Sequence, residues 1–416
     1  MPTEPARTTD VAALALDYGE RLIVGTVRDV HQAISKRAFG ATRAVGGRVP
    51  ESFHDAVITS LYGAISGVLR VSSGSIRALA KRGIGRPVES SRMGRGVVAA
   101  VNGLIGDELR MIDDPQAIIM AVRKDGSDIP VSPWPIGEAF RDATSHVVLF
   151  LHGLCESDES WALGERSTGS TYAQRIKDDT DGTPVFIRYN TGLRVSENGK
   201  HLDWLIRQLV ASWPADVTRI TLVGHSMGGL VVRAATNHAT ASGQTWQHLV
   251  RDVICLGTPH TGAALEKVAH MGSRVLHFFP ESRPFGAILN ARSGGIFDLR
   301  HGYITKEEWE GQDLTQLWGL DRIAAAPLPQ AEYHFVIATL GATKRHPFST
   351  ILGDLLVHFS SAAGIGRSGA VVDGARLEYL PSTHHFALLN HPRIADWLVQ
   401  WLTARESAAL PAGSAG

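Results

Sequence analysis

The chain has 416 residues, of which 44% are hydrophobic and 20% are charged, and this balance excludes a disordered chain or a coiled-coil rod. Lys plus Arg and Asp plus Glu each number 41, so no large basic surface for nucleic acid is expected. Two cysteines, Cys155 and Cys255, are too few for a disulfide framework, which fits a reducing compartment. The sequence contains neither C-x-x-C nor H-E-x-x-H, and we predict no metal site.

Residues 1–110 are predicted to form an amino-terminal helical region. Apolar residues recur there at spacings of three and four, which is the pattern of one helix face. The first repeating positions are Val11, Leu14, Tyr18 and Leu22. Pro50 opens a second such segment, and a third runs over about 96–110. The stretch 83–96 is rich in Gly, Arg and Ser and is interpreted as a loop.

The amino-terminal sequence has no feature of a secretory signal or a membrane span. It begins MPTEPARTTD, with an early acid and no apolar core, and the apolar stretch 56–69 is too short to cross a bilayer. A cytoplasmic location is therefore predicted. Between Arg70 and Arg95 there are seven basic residues and one acid, Glu89. This basic stretch is either a solvated helix face or a patch for anionic lipid, so peripheral membrane contact stays open.

An α/β domain is predicted over residues 111–408. Asp125-Gly126 between two apolar runs indicates a β-hairpin. Beyond it, short apolar runs alternate with helical patterns, which predicts a mostly parallel sheet with helices on both faces. The predicted strands are His146–Leu151, Pro184–Tyr189, Arg219–Val223, Val253–Gly257, Tyr333–Leu340 and Arg376–Leu380. The predicted helices include Thr171–Lys177, His201–Trp213, Met227–Ala241 and Pro392–Ala404.

An insertion is predicted over about 263–331, because this segment is too long for a plain loop between two strands. Its apolar residues either line a pocket for an acyl chain, as a cap, or form a small core of the insertion itself. These residues are Phe278, Phe279, Phe285, Ile288, Leu289, Ile296, Phe297 and Leu299. At the other end of the domain, residues 409–416 are predicted to be a flexible tail.

A motif typical of a serine nucleophile follows a predicted strand. The strand Arg219–Val223 runs directly into Gly224-His225-Ser226-Met227-Gly228, which has the spacing G-x-S-x-G, and a helix pattern follows. Such a strand–turn–helix junction is so tight that larger flanking residues would clash, and it presents the hydroxyl at the carboxyl edge of the sheet. Ser226 is therefore predicted to be the nucleophile.

A serine hydroxyl needs a base, and the base needs an acid that fixes its tautomer. Asp354 and His385 are predicted in these roles, because they follow Ser226 in that order and each comes after a predicted strand. Asp373 is a rival acid, although its Asp-Gly context is typical of a turn. The rival bases are His384 and His391.

An oxyanion hole is predicted where the strand His146–Leu151 ends in His152-Gly153-Leu154. Its expected donors are the backbone amides of Leu154 and of Met227, the residue after the nucleophile. The residues predicted to surround a bound substrate are His152, Gly153, Trp161 and His225. For Trp161 two interpretations stay open: it lines the pocket, or it anchors the loop 156–165.

These segments together resemble an α/β-hydrolase of the lipase and esterase type. The matching pieces are FLHGL (150–154), VGHSMGGLVVR (223–233), LGTPHTG (256–262), GDLLV (353–357) and HHFALL (384–389). The segment Gly257-Thr258-Pro259-His260 is also similar to one in lipase-like deacylases that act on lipid anchors. One departure is Leu355, where relatives often carry Gly. The resemblance implies an α/β-hydrolase fold and serine acyl transfer without a cofactor.

The predicted function is hydrolysis of a carboxylic ester with an apolar acyl or lipid group, through a Ser-His-Asp triad. Two alternatives remain at this level. The same triad serves acyltransferases and thioesterases, which differ in the acceptor or the leaving group. A protein with this fold could also bind lipid without catalysis. The sequence gives neither the acyl-chain length nor the oligomeric state.

Overall fold

The computed structural model describes residues 88–263, 293–310, 326–343, 353–366 and 369–409. The chain divides into two units, residues 1–101 with 271–291 and residues 102–270 with 292–416. In the first unit the description covers residues 88–101. Several predictions lie outside the described residues: the helices and most of the basic stretch before residue 88, the tail 410–416, and Phe278, Phe279, Phe285, Ile288 and Leu289.

The helix predicted over about 96–110 is present as α1, Arg92–Met111. Ser91 precedes it, and the Ser91 hydroxyl accepts a hydrogen bond from the Gly94 amide at 3.0 Å. A serine in this place satisfies one of the free N–H groups of the first helical turn. The loop predicted over 83–96 is therefore wrong from Arg92 onward, because the cap outweighs the helix-breaking tendency of the glycines.

The second unit is built on one large sheet. Its described strands are β1 (Ala121–Lys124), β2 (Ser127–Ile129), β3 (His146–Leu151), β4 (Gly182–Arg188), β5 (Arg219–His225), β6 (Val250–Leu256), β7 (Glu332–Ala338) and β10 (Arg376–Leu380), in the order β10-β7-β6-β5-β3-β4-β1-β2. A separate ribbon consists of β8 (Ile365–Gly366) and β9 (Gly369–Ala370). The neighbouring strands β10, β7, β6, β5, β3 and β4 all run parallel, whereas β1 is antiparallel to both of its neighbours, β4 and β2. The mostly parallel sheet is confirmed, and so is the hairpin, which turns at Asp125-Gly126.

Helices connect these strands. They are α2 (Pro133–Ala139), α3 (Glu165–Thr168), α4 (Tyr172–Asp179), α5 (Val195–Ser212), α6 (Met227–Ala241), α7 (Gly294–His301), α8 (Phe359–Ala362) and α9 (Pro392–Ala409). Short 3-10 helices lie at Asp158–Ala162, Thr245–Leu249 and His385–Leu388. No helix in the described stretches has both the length and the apolar character needed to cross a bilayer.

Both faces of the sheet are covered, as predicted. Successive strand residues point to opposite faces, and on one face Val148 and Phe150 of β3 belong to an apolar cluster with residues of α4 and α9. Their neighbours Val147 and Leu149 point to the other face and are equally buried. There α6 contacts β3, β5 and β6, and α5 packs on α6. Each fully buried aliphatic side chain of this kind contributes about 1.5–3 kcal/mol.

Helix α5 begins at Val195, well before the predicted start at His201. Its first turn is held by a residue from the predicted insertion: the Val195 amide donates to Oδ2 of Asp298 in α7 at 2.8 Å. Arg194 Nη1 donates to the other carboxylate oxygen at 2.7 Å. A negative charge at a helix amino terminus is favourable. The prediction missed this start because the residue that holds it is distant in sequence.

The amino ends of four neighbouring strands carry a group of charged residues. Arg219 Nη2 lies 3.0 Å from Oδ2 of the buried Asp252, and Arg376 Nη2 lies 3.0 Å from Oε2 of Glu332. His334 is buried beside both carboxylates, with Nε2 at 3.7 and 3.8 Å. Asp252, Glu332 and His334 bring metal-ligand atoms within 4.8 Å of one another. Each carboxylate already faces a guanidinium, so the charges balance without a metal ion.

The pair Arg219–Asp252 yields a stability prediction. The change Asp252→Asn should lower the free energy of unfolding by about 3–5 kcal/mol, because it removes the charge that compensates a largely buried guanidinium. Urea unfolding followed by tryptophan fluorescence measures this value. The control is Asp142→Asn, whose partner Lys177 lies 3.8 Å away on the exposed surface, and which should change stability by less than about 1 kcal/mol. Equal losses in the two variants would contradict the prediction.

Candidate active site

Ser226 lies in a strained turn between β5 and α6. Its backbone has φ 52° and ψ −120°, a conformation that L-residues rarely adopt. The turn tolerates no side chain beside it: a Cβ on Gly224 would lie 2.4 Å from the Gly229 amide nitrogen, and one on Gly228 would lie 2.3 Å from the Leu151 carbonyl oxygen. The Gly residues of the motif are thus required by packing, and the turn has the form that was predicted.

Asp354 and His385 are joined by a short hydrogen bond. His385 Nδ1 lies 2.7 Å from Oδ2 of Asp354, and each residue is only 1% exposed. The His385 backbone amide also donates to the Asp354 carbonyl oxygen at 2.9 Å. Two bonds between the same residues fix both the position and the orientation of the imidazole.

The second oxygen of Asp354 is held by the backbone that follows it. Oδ1 accepts hydrogen bonds from the amides of Leu356 at 3.0 Å and Val357 at 2.8 Å. This tight turn forces Leu355 to φ 95°, in the left-handed region that favours glycine. The departure from Gly noted in the sequence is therefore accommodated as backbone strain, and the carboxylate keeps its place.

The His385 ring lies against the serine turn. Its centroid is 4.8 Å from that of His225, the residue before Ser226, and a Cβ on Gly257 would lie 3.2 Å from its Cε1 and Nδ1. Gly257 follows Leu256, whose carbonyl accepts the Ser226 amide at 2.8 Å. Within the part of the chain that is described, the Ser226 hydroxyl makes no hydrogen bond to His385.

The surroundings of His385 favour its protonated form. Burial lowers the pKa of the imidazole, but the negative charge of Asp354 and its hydrogen bond more than offset this. The carboxylate of Glu156 acts in the same direction, so the pKa lies above the ordinary value of 6.5. An imidazole tuned in this way suits proton transfer near neutral pH.

The rival residues lie elsewhere. Asp373 is exposed in a turn beside Gly374, which has φ 77°. His384 precedes the 3-10 helix and accepts the Ala387 amide at 3.3 Å through Nδ1. His391 lies just before α9 and accepts the Arg393 amide at 3.2 Å. None of the three makes a described hydrogen bond to Asp354 or Ser226.

The turn after β3 leaves one amide without an acceptor. Gly153 N donates to Glu156 Oε2 at 2.7 Å, Cys155 N to Thr191 Oγ1 at 3.2 Å, and Glu156 N to the Gly153 carbonyl at 3.2 Å. The Leu154 amide makes no described hydrogen bond. Met227 is the first residue of α6, and the first N–H groups of a helix have no partner inside it. The hydrogen bonds of the described residues are therefore compatible with the prediction that these two amides are the oxyanion donors.

His152 and Trp161, two of the residues predicted to contact substrate, are buried in the protein. His152 is fully buried and stacks on Tyr189 at 4.5 Å, with both ring nitrogens hydrogen-bonded to backbone. Trp161 is 2% exposed and packs edge-on against Phe150 at 4.9 Å. This favours the anchor interpretation of Trp161 over the pocket wall, because its indole belongs to the core under the loop.

Sequence reasoning missed Glu156. Its carboxylate, 9% exposed, accepts the Gly153 amide and lies 3.0 Å from Nδ1 of His225, which is fully buried. Burial raises the pKa of this carboxyl, but His225 and the Gly153 amide lower it more, so the group is anionic near neutral pH. The only signal in the sequence is an acid three residues after the glycine of the turn.

The described part of the insertion reaches the site through α7. The Gly295 amide donates to the Gly192 carbonyl at 2.9 Å, and a Cβ on Gly295 would lie 3.0 Å from Cε of Met227. Ile296 and Leu299 are buried, whereas Phe297 is half-buried. This part of the segment therefore packs much of its apolar surface inward. Its bounds and the role of the rest remain predictions.

Comparisons with known proteins agree with this architecture. A family model described as a PGAP1-like alpha/beta domain matches residues 142–310. A triacylglycerol lipase of Burkholderia plantarii is 27% identical over 144 residues, which are 33% of this chain and 36% of the relative. The matched region thus spans about a third of that relative's length.

The solved structures that the chain matches include a lipase and a thioesterase. The lipase BlEst2 of Bacillus licheniformis is 17% identical, covers 68% of this chain and 98% of its own, and has a TM-score of 0.40. The RedJ thioesterase of Streptomyces coelicolor is 11% identical, with coverages of 63% and 91% and a TM-score of 0.35.

The family match covers β3 to β6 and includes the turn after β3 and the turn at Ser226. The strand order and the position of Ser226 after a central parallel strand agree with it. Over residues 142–310 the chain is similar to the PGAP1-like alpha/beta domain, and its sheet has the strand arrangement of an α/β-hydrolase fold.

Proposed function

We propose that the protein is a serine hydrolase of carboxylic esters. The observation that carries the proposal is the buried Asp354–His385 pair, joined at 2.7 Å, beside a serine held in a strained turn. This arrangement supplies a nucleophile, a base and an oriented acid at the carboxyl edge of one sheet. Those are the components of acyl transfer through a covalent intermediate.

In the proposed reaction, the Ser226 hydroxyl attacks the acyl carbonyl and His385 Nε2 takes its proton. Asp354 holds the Nδ1–H of His385 and stabilises the imidazolium that forms. The imidazolium then gives its proton to the leaving alcohol, and the acyl group stays on Ser226. Water, activated by the same imidazole, releases the acid. The hydrogen bond between serine and base forms once substrate is bound, since such bonds are often long in free enzymes.

The amides of Leu154 and Met227 hold the oxyanion in the proposed transition state. They come from the turn after β3 and from the first residue of α6, two segments that flank the nucleophile. Backbone donors that are fixed before the reaction need no reorganisation when charge develops. Removing one such donor costs on the order of 3 kcal/mol of transition-state stabilisation in comparable sites.

The proposed substrate is an ester with an apolar acyl group, such as a lipid. The named relative is a triacylglycerol lipase, and the predicted insertion is rich in phenylalanine and leucine. An apolar wall near the serine would favour aliphatic chains over charged acids.

The first prediction concerns the nucleophile. Ser226→Ala should lower the hydrolysis of p-nitrophenyl esters on the order of 10⁶-fold, because no other group can carry the acyl intermediate. A series from acetyl to palmitoyl measures the rates and sizes the pocket. A fluorophosphonate probe should label the wild-type protein and leave the variant unlabelled.

Ser212→Ala is the matched control, since Ser212 is 8% exposed and Ser226 is 7% exposed. It lies at the end of α5 and should keep full activity and labelling. An added alcohol that yields a transesterified product faster than the acid forms would identify an acyltransferase instead. Labelling of Ser226→Ala would disprove the assignment of Ser226. A failure of both wild type and Ser212→Ala to be labelled would disprove it as well.

The second prediction concerns pH. Only the neutral imidazole of His385 accepts a proton, so kcat/KM should fall as the pH drops through a pKa above 6.5. Asp354→Asn removes the charge that raises this pKa. The acid limb of the profile should therefore move to lower pH, and kcat should fall by about 10⁴-fold because the tautomer is no longer fixed.

Asp373→Asn tests the rival acid and should leave both the limb and the rate unchanged. The pH profile of kcat/KM from pH 5 to 9 compares the three proteins. A loss of activity in Asp373→Asn together with a normal Asp354→Asn would reverse the assignment of the acid.

A further inference from the structure

The carboxylate of Glu156 lies between two segments that carry proposed oxyanion donors. Its Oε2 accepts the Gly153 amide at 2.7 Å, one residue before Leu154. The same oxygen lies 3.0 Å from Nδ1 of His225, two residues before Met227. A carboxylate without a proton can only accept, so His225 Nδ1 carries the hydrogen of this bond.

Both partners of this pair are removed from water. The side chain of Glu156 is 9% exposed and that of His225 is 0% exposed. A buried charge is costly unless it is paired and hydrogen-bonded, so the carboxylate has a strong tendency to keep both contacts. The hydrogen bonds of Glu156 to Gly153 and to His225 therefore restrain the backbone at both of these residues.

The hydrogen bond from Gly153 determines which amide of the turn stays free. Glu156 takes the Gly153 amide, and its own amide returns to the Gly153 carbonyl at 3.2 Å. The peptide of Leu154 is thereby held with its N–H outside this small ring of bonds. Without the carboxylate, Gly153 could rotate its amide toward the oxyanion and displace that of Leu154.

The contact to His225 extends the constraint to the other two parts of the site. His225 precedes Ser226, and its ring packs against that of His385, with the ring centroids 4.8 Å apart. One line of contacts thus runs from Gly153 through Glu156 and His225 to the segment of His385. It links the turns that follow β3, β5 and β10.

We propose that Glu156 is a positioning residue, which acts through Gly153 and His225 to hold the amides of Leu154 and Met227 at the spacing that the oxyanion needs. The inference rests on the proposed esterase function and goes beyond its triad and donors. Among the described residues, Glu156 makes no hydrogen bond to Ser226, Asp354 or His385.

Two substitutions separate the position of this group from its charge. Glu156→Ala removes the acceptor oxygens, so kcat should fall about 10²-fold while KM changes by less than about threefold, because the interaction lost is one made in the transition state. Glu156→Gln keeps the shape and one acceptor oxygen, so it should restore most of kcat. Glu165→Gln, at the start of α3, is the matched control and should behave as wild type.

The pH profile supplies a second readout. The charge of Glu156 contributes to the raised pKa of His385, so Glu156→Gln should move the acid limb of kcat/KM to lower pH. A residue with a merely structural role would change stability and leave this limb in place. Rates are divided by the concentration of active sites titrated with a fluorophosphonate, so unfolded protein does not lower the measured kcat.

The outcomes are distinct. Low kcat in Glu156→Ala, recovery in Glu156→Gln and the shifted limb together support the proposal. Full normalised activity in Glu156→Ala, or a change confined to KM, would overturn it. If wild type itself shows no turnover that depends on Ser226, the esterase function fails and this inference fails with it. If wild type is active and Glu156→Ala is equally active, the positioning role is rejected while the esterase function stands.

Discussion

A serine with positive φ persists only where its surroundings leave the backbone no alternative, because such a residue costs about 1–3 kcal/mol. At Ser226 the surroundings are the close packing of β5 on α6 and the hydrogen bond to the Leu256 carbonyl on β6. Every other element of the site is arranged around this fixed point. Leu151 and His152, where the turn after β3 begins, lie close to Gly228, and the His385 ring lies beside Gly257. The strain is thus held by the parallel sheet itself.

The parallel arrangement also explains why residues far apart in sequence meet. Ser226, Asp354 and His385 follow β5, β7 and β10, and the carboxyl ends of parallel strands share one edge of a sheet. The amino ends of these strands form the opposite edge of the sheet, and ion pairs lie there. There the pairs Arg219–Asp252 and Arg376–Glu332 balance charge and join strands at their beginnings. The proposed active site and these ion pairs therefore lie at opposite ends of the strands.

Much of this arrangement follows from local pattern. The strand His146–Leu151 and the helix Met227–Ala241 were predicted with their observed bounds, because apolar periodicity and the glycine-rich turn are written in adjacent residues. The start of α5 at Val195 was not predicted, since Asp298 supplies its cap from a distant segment. Glu156 was missed for the same reason. The proposed role of Glu156 depends on its contact with His225, and no spacing in the sequence predicts that contact.

At Leu355, which has φ 95° and is 7% exposed, the cost of backbone strain and the gain from apolar burial are of similar size and act in opposite directions. A glycine there would relieve about 1–3 kcal/mol of strain, yet it would give up about 1.5–3 kcal/mol of apolar burial. The two nearly cancel, so exchange between Gly and Leu beside the acid is close to neutral for the fold. The sequence at this position can therefore drift without moving the carboxylate, whose place is set by the backbone amides of the next two residues.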